Sequence, residues 1–224
     1  MKAMILAAGR GERMRHLTEN TPKPLLKIAD KALIEYSLEG LVNAGFSEIV
    51  INVAYLGQQI KTYCGDGSRW GVSIQYSDES EAALETAGGI AKALPLLGEK
   101  PFLVVNADIL FDYPLAELRN KQVDWAHLVM IDNPSHHLQG DFCLQANGML
   151  SEQGDPKFTF SGIGVYHPAM FADVPVGKPL KLRPLLNLGM QQQRISGEYF
   201  NGLWLDIGTP ERLQEISIGL ASTV

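Results

Sequence analysis

The sequence predicts an α/β fold: a Rossmann-like, doubly wound sheet, mixed but mostly parallel, with helices on its faces. Three observations carry this reading. Short apolar segments alternate with segments of helical spacing through residues 1–131. A Gly-rich loop follows the first apolar segment directly. Carboxylates stand just behind apolar segments, where open parallel sheets keep their ligand crevice.

The elements follow in order. Residues 2–7 (KAMILA) form an apolar run ending in small residues, a buried strand. Residues 8–22, rich in Gly, Arg, Thr and Pro, read as a long loop. Residues 32–44 carry Leu33, Ile34, Leu38, Leu41 and Val42 at helical spacing, and Gly45 stops them. Residues 47–53 (SEIVINV) are a β-branched strand, 57–63 a short helix and 72–76 a third strand. A helix over 86–94 is expected to end at Pro95. Residues 101–106 (PFLVVN) are almost wholly apolar and predict a central strand, and 126–131 a fifth.

The rhythm then changes. Residues 141–145, a turn at Asn147-Gly148, and residues 158–166 read as hairpin strands. Helices are expected over 183–192 and 209–220, the last with Thr209 as N-cap and Pro210 in the first position. One domain over 1–224 is expected, with a nucleotide-binding half at 1–131 and a mixed part at 132–224 covering one end.

Composition narrows the partners. The chain is 46% hydrophobic and 20% charged, ordinary for a globular protein. Its net charge of −6 and the lack of any Lys/Arg run argue against nucleic acid. No apolar stretch approaches the length of a membrane span, and no leader pattern opens the chain, so a cytoplasmic protein without membrane partners is expected. Cys64 and Cys143 belong to no metal or redox motif and read as reduced thiols. Monomer and small homo-oligomer both stay open.

The loop after the first strand reads Ala8-Gly9-Arg10-Gly11-Glu12-Arg13-Met14-Arg15-His16-Leu17-Thr18, then Pro22-Lys23-Pro24-Leu25. Glycines let a backbone approach phosphate closely, and Arg13 and Lys23 supply cations. Met14 stands where a dinucleotide fingerprint needs its third glycine, and no Walker sequence is present. Lys23 sits between two prolines that hold its backbone extended. Asp108 and Asp206 each leave an apolar segment; each alone also reads as a turn or cap residue, and together they suit Mg²⁺, which favours one or two carboxylates. His136 and His137 are adjacent, and neighbours on an extended chain diverge, so a ligand-contacting loop is the better reading than a shared metal site.

These words together resemble the sugar-1-phosphate nucleotidyltransferase family over essentially the whole chain. The family writes G-x-G-x-R-(M/L)-x-P-L-T and P-K-P-L after its first strand, V-N-x-D after a central strand, L-x-T-A-G before a helix, and W-x-D-x-G-T late in the chain. His16 departs from the usual proline. The family's Glu-Lys-Pro segment is also missing, with Ser151-Glu152-Gln153-Gly154-Asp155-Pro156-Lys157 in its region.

The resemblance implies a nucleotide-diphospho-sugar transferase fold and a Mg²⁺-assisted enzyme. An NTP and a sugar 1-phosphate give a nucleotide sugar and pyrophosphate. It implies Arg13 and Lys23 as catalytic cations; Ala8, Gly9, Gly11, Glu12, Thr86 and Gly88 beside the nucleotide; and Asp108 and Asp206 on the metal. Asn106, Gly140, Asp141, Glu152 and Ser161 fall to the sugar, which makes 132–224 the sugar-binding and closing part. Within the family the words LETAGGI, TFSGI and ISGEYFNGLWLDIGT are most similar to enzymes handling UTP and N-acetylmuramate 1-phosphate in cell-wall sugar recycling. GTP with mannose 1-phosphate is the alternative pair. A non-catalytic relative would be expected to lack Arg13, Lys23, Asp108 or Asp206, and all four are present.

Overall fold

The computed structural model describes residues 1–79 and 83–221. The chain runs β1 (Ala3–Leu6), 3-10 turns at Glu12–Thr18 and Lys23–Leu25, β2 (Lys27–Ile28), β3 (Lys31–Ala32) and α1 (Leu33–Asn43). Then come β4 (Glu48–Val53), α2 (Gly57–Cys64), β5 (Ser73–Asp78), α3 (Glu85–Leu97), β6 (Phe102–Asn106) and β7 (Ile109–Phe111). The remainder is β8 (Ala126–Ile131), β9 (Phe142–Leu144), β10 (Leu150–Ser151), β11 (Lys157–Tyr166), α4 (Leu182–Gln191), β12 (Ile195–Tyr199), β13 (Trp204–Asp206) and α5 (Pro210–Ala221).

A nine-stranded sheet runs β10-β9-β11-β6-β1-β4-β5, with β8 on β11 and β12 on β8. Strands β6, β1, β4 and β5 are mutually parallel, as helix crossovers require. Alternation across β1, β4 and β6 builds both faces of the core. Ile5, Ile51 and Val105 pack toward α1, while Met4, Val50 and Val104 pack toward α3 and α4. A third, smaller cluster joins Met14, Leu33, Leu110 and Ile207, so the loop after β1 and the end of the chain share one apolar seat.

Several expectations need correction. The mixed part does not cap one end: β11 enters the main sheet, antiparallel to β6 and β8. Its register shifts between Phe160 and Gly164, a bulge that re-aims Ser161 and Gly162. The loop at 8–22 contains a 3-10 turn whose Met14 is fully buried. Helix α3 passes through Pro95 and ends at Leu97, because a proline in the last turn removes only one helical bond while Leu97 gains burial. Gly98 N–H closes that turn on the Leu94 carbonyl at 2.8 Å. Strands β7, β12 and β13 escaped the sequence reading, being short or half-exposed. Thr209 does cap α5, its Oγ1 accepting the Arg212 N–H at 3.4 Å. Cys64 and Cys143 are buried free thiols, and burial pushes Cys64 up to about 12. Among the described residues no helix is long and apolar enough to cross a membrane.

Two buried polar networks brace this frame. Asn52, at the end of β4, accepts the Ala7 N–H at 2.8 Å and donates to Glu79 Oε1 at 2.7 Å. Glu79 Oε2 accepts the Leu84 N–H at 2.7 Å, so one chain of bonds joins the exit of β1 to the start of α3. Glu79 is 4% exposed, and Gly89 admits it: a Cβ there would stand 2.4 Å from Oε1. The second network lies between β8 and β12. His127 bonds Ser196 through Nδ1 at 2.8 Å and Glu198 through Nε2 at 2.9 Å. Glu198 also accepts from the Tyr113 hydroxyl and, at 3.2 Å, from Lys121 Nζ.

Replacing Asn52 with Ala strands a buried N–H and a buried carboxylate, and should cost about 2–4 kcal/mol in urea unfolding; a loss under about 1 kcal/mol would mean the relay is not holding. The His127 hydrogen bond, helped by those from Tyr113 and Lys121 and opposed by burial, draws Glu198 down to about 2. A carboxyl held lower in the folded state stabilises it above the unfolded value of about 4.3, and that contribution is lost as pH falls through the folded value. Glu198→Gln is therefore expected to be less stable than the parent at pH 7, the gap narrowing between pH ~4.5 and ~2. A gap independent of pH counts against the assignment.

Candidate active site

The register of the parallel strands places the site. Leu6 pairs with Asn52 on one side and Asn106 on the other, so β4, β1 and β6 end in one row. A cavity of about 390 Å³ opens there, lined by Ala8, Gly9, Lys23, Thr86, Asn106 and Asp108 among others. A second cavity of about 380 Å³ adjoins it, with Asp141, Phe142, Phe160, Gly162, Lys181 and Arg183 in its wall. Leu6, Glu85, Thr86 and Asn106 line both. The cleft is thus double, divided at Asn106 and Thr86.

The loop after β1 closes on its own lysine. Gly11 has φ +69°, and a Cβ there would lie 2.9 Å from Lys23 Cβ. Gly11 therefore lets the loop fold over Lys23, with Thr18 Oγ1 donating to the Gly11 carbonyl at 3.1 Å. Lys23 is 8% exposed, and its ammonium donates to Asp108 Oδ2. Arg13 and Glu12 are exposed. Arg13 reaches the Asp206 segment, its Nη1 3.3 Å from where a Cβ on Gly208 would stand.

A short two-stranded ribbon joins the two aspartates. Asp206 of β13 pairs with Ile109 of β7, the residue after Asp108, and Ile207 N–H donates to the Asp108 carbonyl at 2.9 Å. Asp206 Oδ2 takes a bond from Arg212 Nη1 at 2.6 Å, and His136 Nε2 stands 3.3 Å from Oδ1. Burial lowers the His136 pKa against the pull of Asp206, with Arg212, His137 and Arg13 adding to the lowering. No group of three or more His, Cys, Asp and Glu is arranged for a metal among the described residues. Two hard carboxylates whose charge Lys23 and Arg212 balance fit an ion that completes its shell with water and phosphate oxygens. The paired histidines diverge, His137 turning to Asp141 at 3.4 Å.

The residues predicted for the sugar divide. Asn106 and Asp141 line the second cavity. Asp141 Oδ2 accepts the Phe160 N–H at 2.9 Å, and Oδ1 accepts from Arg183 at 3.1 Å. Gly140, Ser161 and Glu152 line neither cavity. Gly140 has φ +62° and lies against Asn133 and Lys157, where a Cβ would meet Asn133 Oδ1 at 2.7 Å. Ser161 is 1% exposed, and its hydroxyl accepts the Ile163 N–H at 3.1 Å. The bulge presents the next residue, Gly162, whose missing side chain leaves room for Asn106. Glu152 stands half-exposed behind β10.

Gly88 is also off both cavities. Its N–H donates to the Leu180 carbonyl at 3.2 Å, and a Cβ would meet the Lys178 carbonyl at 2.4 Å. This glycine makes room for residues 178–180. Asn52, Glu79, Gly162, Lys181 and Arg183 were missed by sequence reasoning. Asn52 carried a signal, a lone amide within the apolar run Ile49-Val50-Ile51-Asn52-Val53.

Comparison with known proteins identifies the family and the fold. The Nucleotidyl transferase family model matches residues 2–142. The chain is 52% identical to the N-acetylmuramate alpha-1-phosphate uridylyltransferase of Neisseria meningitidis serogroup B, over 96% of each. It is 35% identical to the protein of the same description from Caulobacter vibrioides, over 93% of this chain and 92% of that one. A solved Bacillus anthracis structure, described as a glucose-1-phosphate thymidylyltransferase in complex with a sucrose, superposes with a TM-score of 0.83. At 21% identity, over 100% of this chain and 96% of that one, it shows the shared fold. With that fold, a family match across most of the chain and near-full-length relatives, this chain belongs to the sugar-1-phosphate nucleotidyltransferases of the nucleotidyl transferase family.

Proposed function

We propose that the protein transfers a uridylyl group from UTP to N-acetylmuramate 1-phosphate, giving UDP-N-acetylmuramate and pyrophosphate. It would do so in the cytoplasm, in the recycling of cell-wall sugars. The observation that carries the reading is the double cleft: two cavities that meet at Asn106 and Thr86, with the Lys23–Asp108 pair in the wall of the first. The first takes the nucleotide and the second the sugar. The choice of UTP and N-acetylmuramate rests on the 52% identical relative.

The reaction is an in-line displacement. A phosphate oxygen of the sugar 1-phosphate attacks the α-phosphorus of UTP, the bond to the bridging oxygen breaks, and pyrophosphate leaves. The attacking oxygen is already anionic, so no general base is needed, and the residues act by position and charge. The backbone of Ala8 and Gly9 lies against the nucleotide. Lys23, aimed by its buried setting, donates to phosphate oxygens at the reacting centre, and Arg13 takes up charge on the leaving pyrophosphate. Thr86 stands beside the base, while Asn106 and Asp141 hold the sugar side. Asp108 and Asp206 would hold Mg²⁺, which when bound supplies neutralising charge at the α-phosphate.

Pyrophosphate release in Mg²⁺ is expected to be strong with UTP and N-acetylmuramate 1-phosphate and to stop on adding EDTA. Preference for GTP with mannose 1-phosphate would move the chain to the alternative pair, and silence with every pair would refute the reading. Lys23→Ala should lower kcat/KM by about 10²–10³, the scale for one electrostatic contact to a charged transition state. Near-normal turnover by that variant would remove Lys23 from the mechanism.

A further inference from the structure

The second cavity contains a cation that forms no ion pair among the described residues. Its cationic wall residues are Lys181 and Arg183, both at the start of α4. Arg183 is committed on every side. Its Nη1 and Nη2 bond Asp141 Oδ1 and the Asp141 carbonyl at 3.1 and 3.2 Å, and its Nε bonds Asn187 at 3.1 Å. The guanidinium lies 4.2 Å over the Phe142 ring. It is a fixture that neutralises and orients Asp141. Lys181, by contrast, forms no ion pair among the described residues, and its side chain is exposed at the cavity.

The fold spends specific contacts on bringing Lys181 there. The segment ahead of it docks on the first turn of α3. Leu180 N–H donates to the Leu84 carbonyl at 3.0 Å, and the Leu180 carbonyl accepts from Ala87 and Gly88 at 2.9 and 3.2 Å. Gly88 lacks the Cβ that would collide with Lys178. Lys181 is thereby fixed on the second cavity and not on the first, where Asp108 and Lys23 stand.

The other walls describe what this cation meets. Val104, Phe142, Phe160, Tyr166, Leu182 and Leu186 make much of the surface apolar. Such walls suit a sugar with apolar substituents, and they strengthen any ion pair made between them by excluding water. The acidic wall residues are Asp141, balanced by Arg183, and Glu85, on the partition with the first cavity.

We infer that Lys181 is a specificity-determining residue, reading a carboxylate carried by a substituent of the sugar ring while the sugar's phosphate lies toward Asn106. The inference rests on the proposed substrate, N-acetylmuramate 1-phosphate, whose 3-O-lactyl ether supplies both a carboxylate and a methyl group. N-Acetylglucosamine 1-phosphate is the same molecule without that ether, which makes the pair a direct probe.

The test compares the parent with Lys181→Met and Lys181→Arg. Dissociation constants for the two sugar phosphates are measured by calorimetry on enzyme loaded with Mg²⁺ and a non-reactive UTP analogue. Pyrophosphate release is followed in parallel with UTP. Lys181→Met is expected to weaken N-acetylmuramate 1-phosphate roughly 10- to 100-fold, the scale of one charge-assisted contact. Binding of N-acetylglucosamine 1-phosphate should change less than about two-fold, and Lys181→Arg should recover part of the loss. Equal weakening of both ligands would make Lys181 a phosphate contact or a structural residue and overturn the inference, as would no weakening of either. A parent enzyme that releases pyrophosphate with N-acetylmuramate 1-phosphate while Lys181→Met fails to discriminate loses only this inference. A parent inactive with that substrate loses the proposed function and this inference with it.

Discussion

The amide of Asn52 settles how the chain leaves β1. At the end of a parallel strand the backbone departs from its neighbours, and the next N–H, that of Ala7, loses its ladder partner. Asn52 Oδ1 supplies one from β4, and its Nδ2 is held in turn by Glu79. Because Glu79 also caps the Leu84 N–H, the exit of β1, the end of β4 and the entry to α3 form one rigid unit. The Gly-rich loop and Thr86 both hang from that unit. A relay of this kind in a dry interior is costly to leave half-satisfied, so the three segments have one joint position.

Charge in the cleft follows from the same rigidity. The protein is acidic overall, yet its proposed substrates are polyanions. The cations at the two cavities are held by the fold: Lys23 by the loop that Gly11 closes over it, Lys181 by the segment docked on α3. Carboxylates beside them do two different jobs. Asp141 is neutralised by Arg183 and becomes a fixed acceptor. Asp108 and Asp206 are brought together by the β7–β13 ribbon, each paired with a cation, Lys23 and Arg212, and both are proposed to hold the metal.

Much of this was readable in the residues. The apolar periodicity located β1, β4, β5, β6 and β8, and the loop words marked Ala8, Gly9, Lys23 and Asp108, all of which meet at the first cavity. The glycines show what the residues leave open. The resemblance sets Gly88 beside the nucleotide and Gly140 beside the sugar; in the structure both lie off the two cavities and make room for other parts of the same chain. A sequence shows that a side chain is missing; it does not show which neighbour fills the space. Ser161 lies where β11 bulges, four residues of β11 spanning two of β8 between Phe160 and Gly164, and no local pattern in the sequence marks that irregularity.

The sequence by itself determined the alternation of strands and helices, the Gly-rich loop after β1 and the carboxylates that follow apolar segments, because these depend on local periodicity and on residues close in the chain. Tertiary structure alone decided that β11 would run antiparallel beside β6, that Asn52 and Glu79 would meet, and that Lys181 would stand in a cavity whose wall includes Asn106. Those contacts join residues dozens of positions apart. They exist only once burial of the two apolar faces of the sheet has fixed which segments are neighbours.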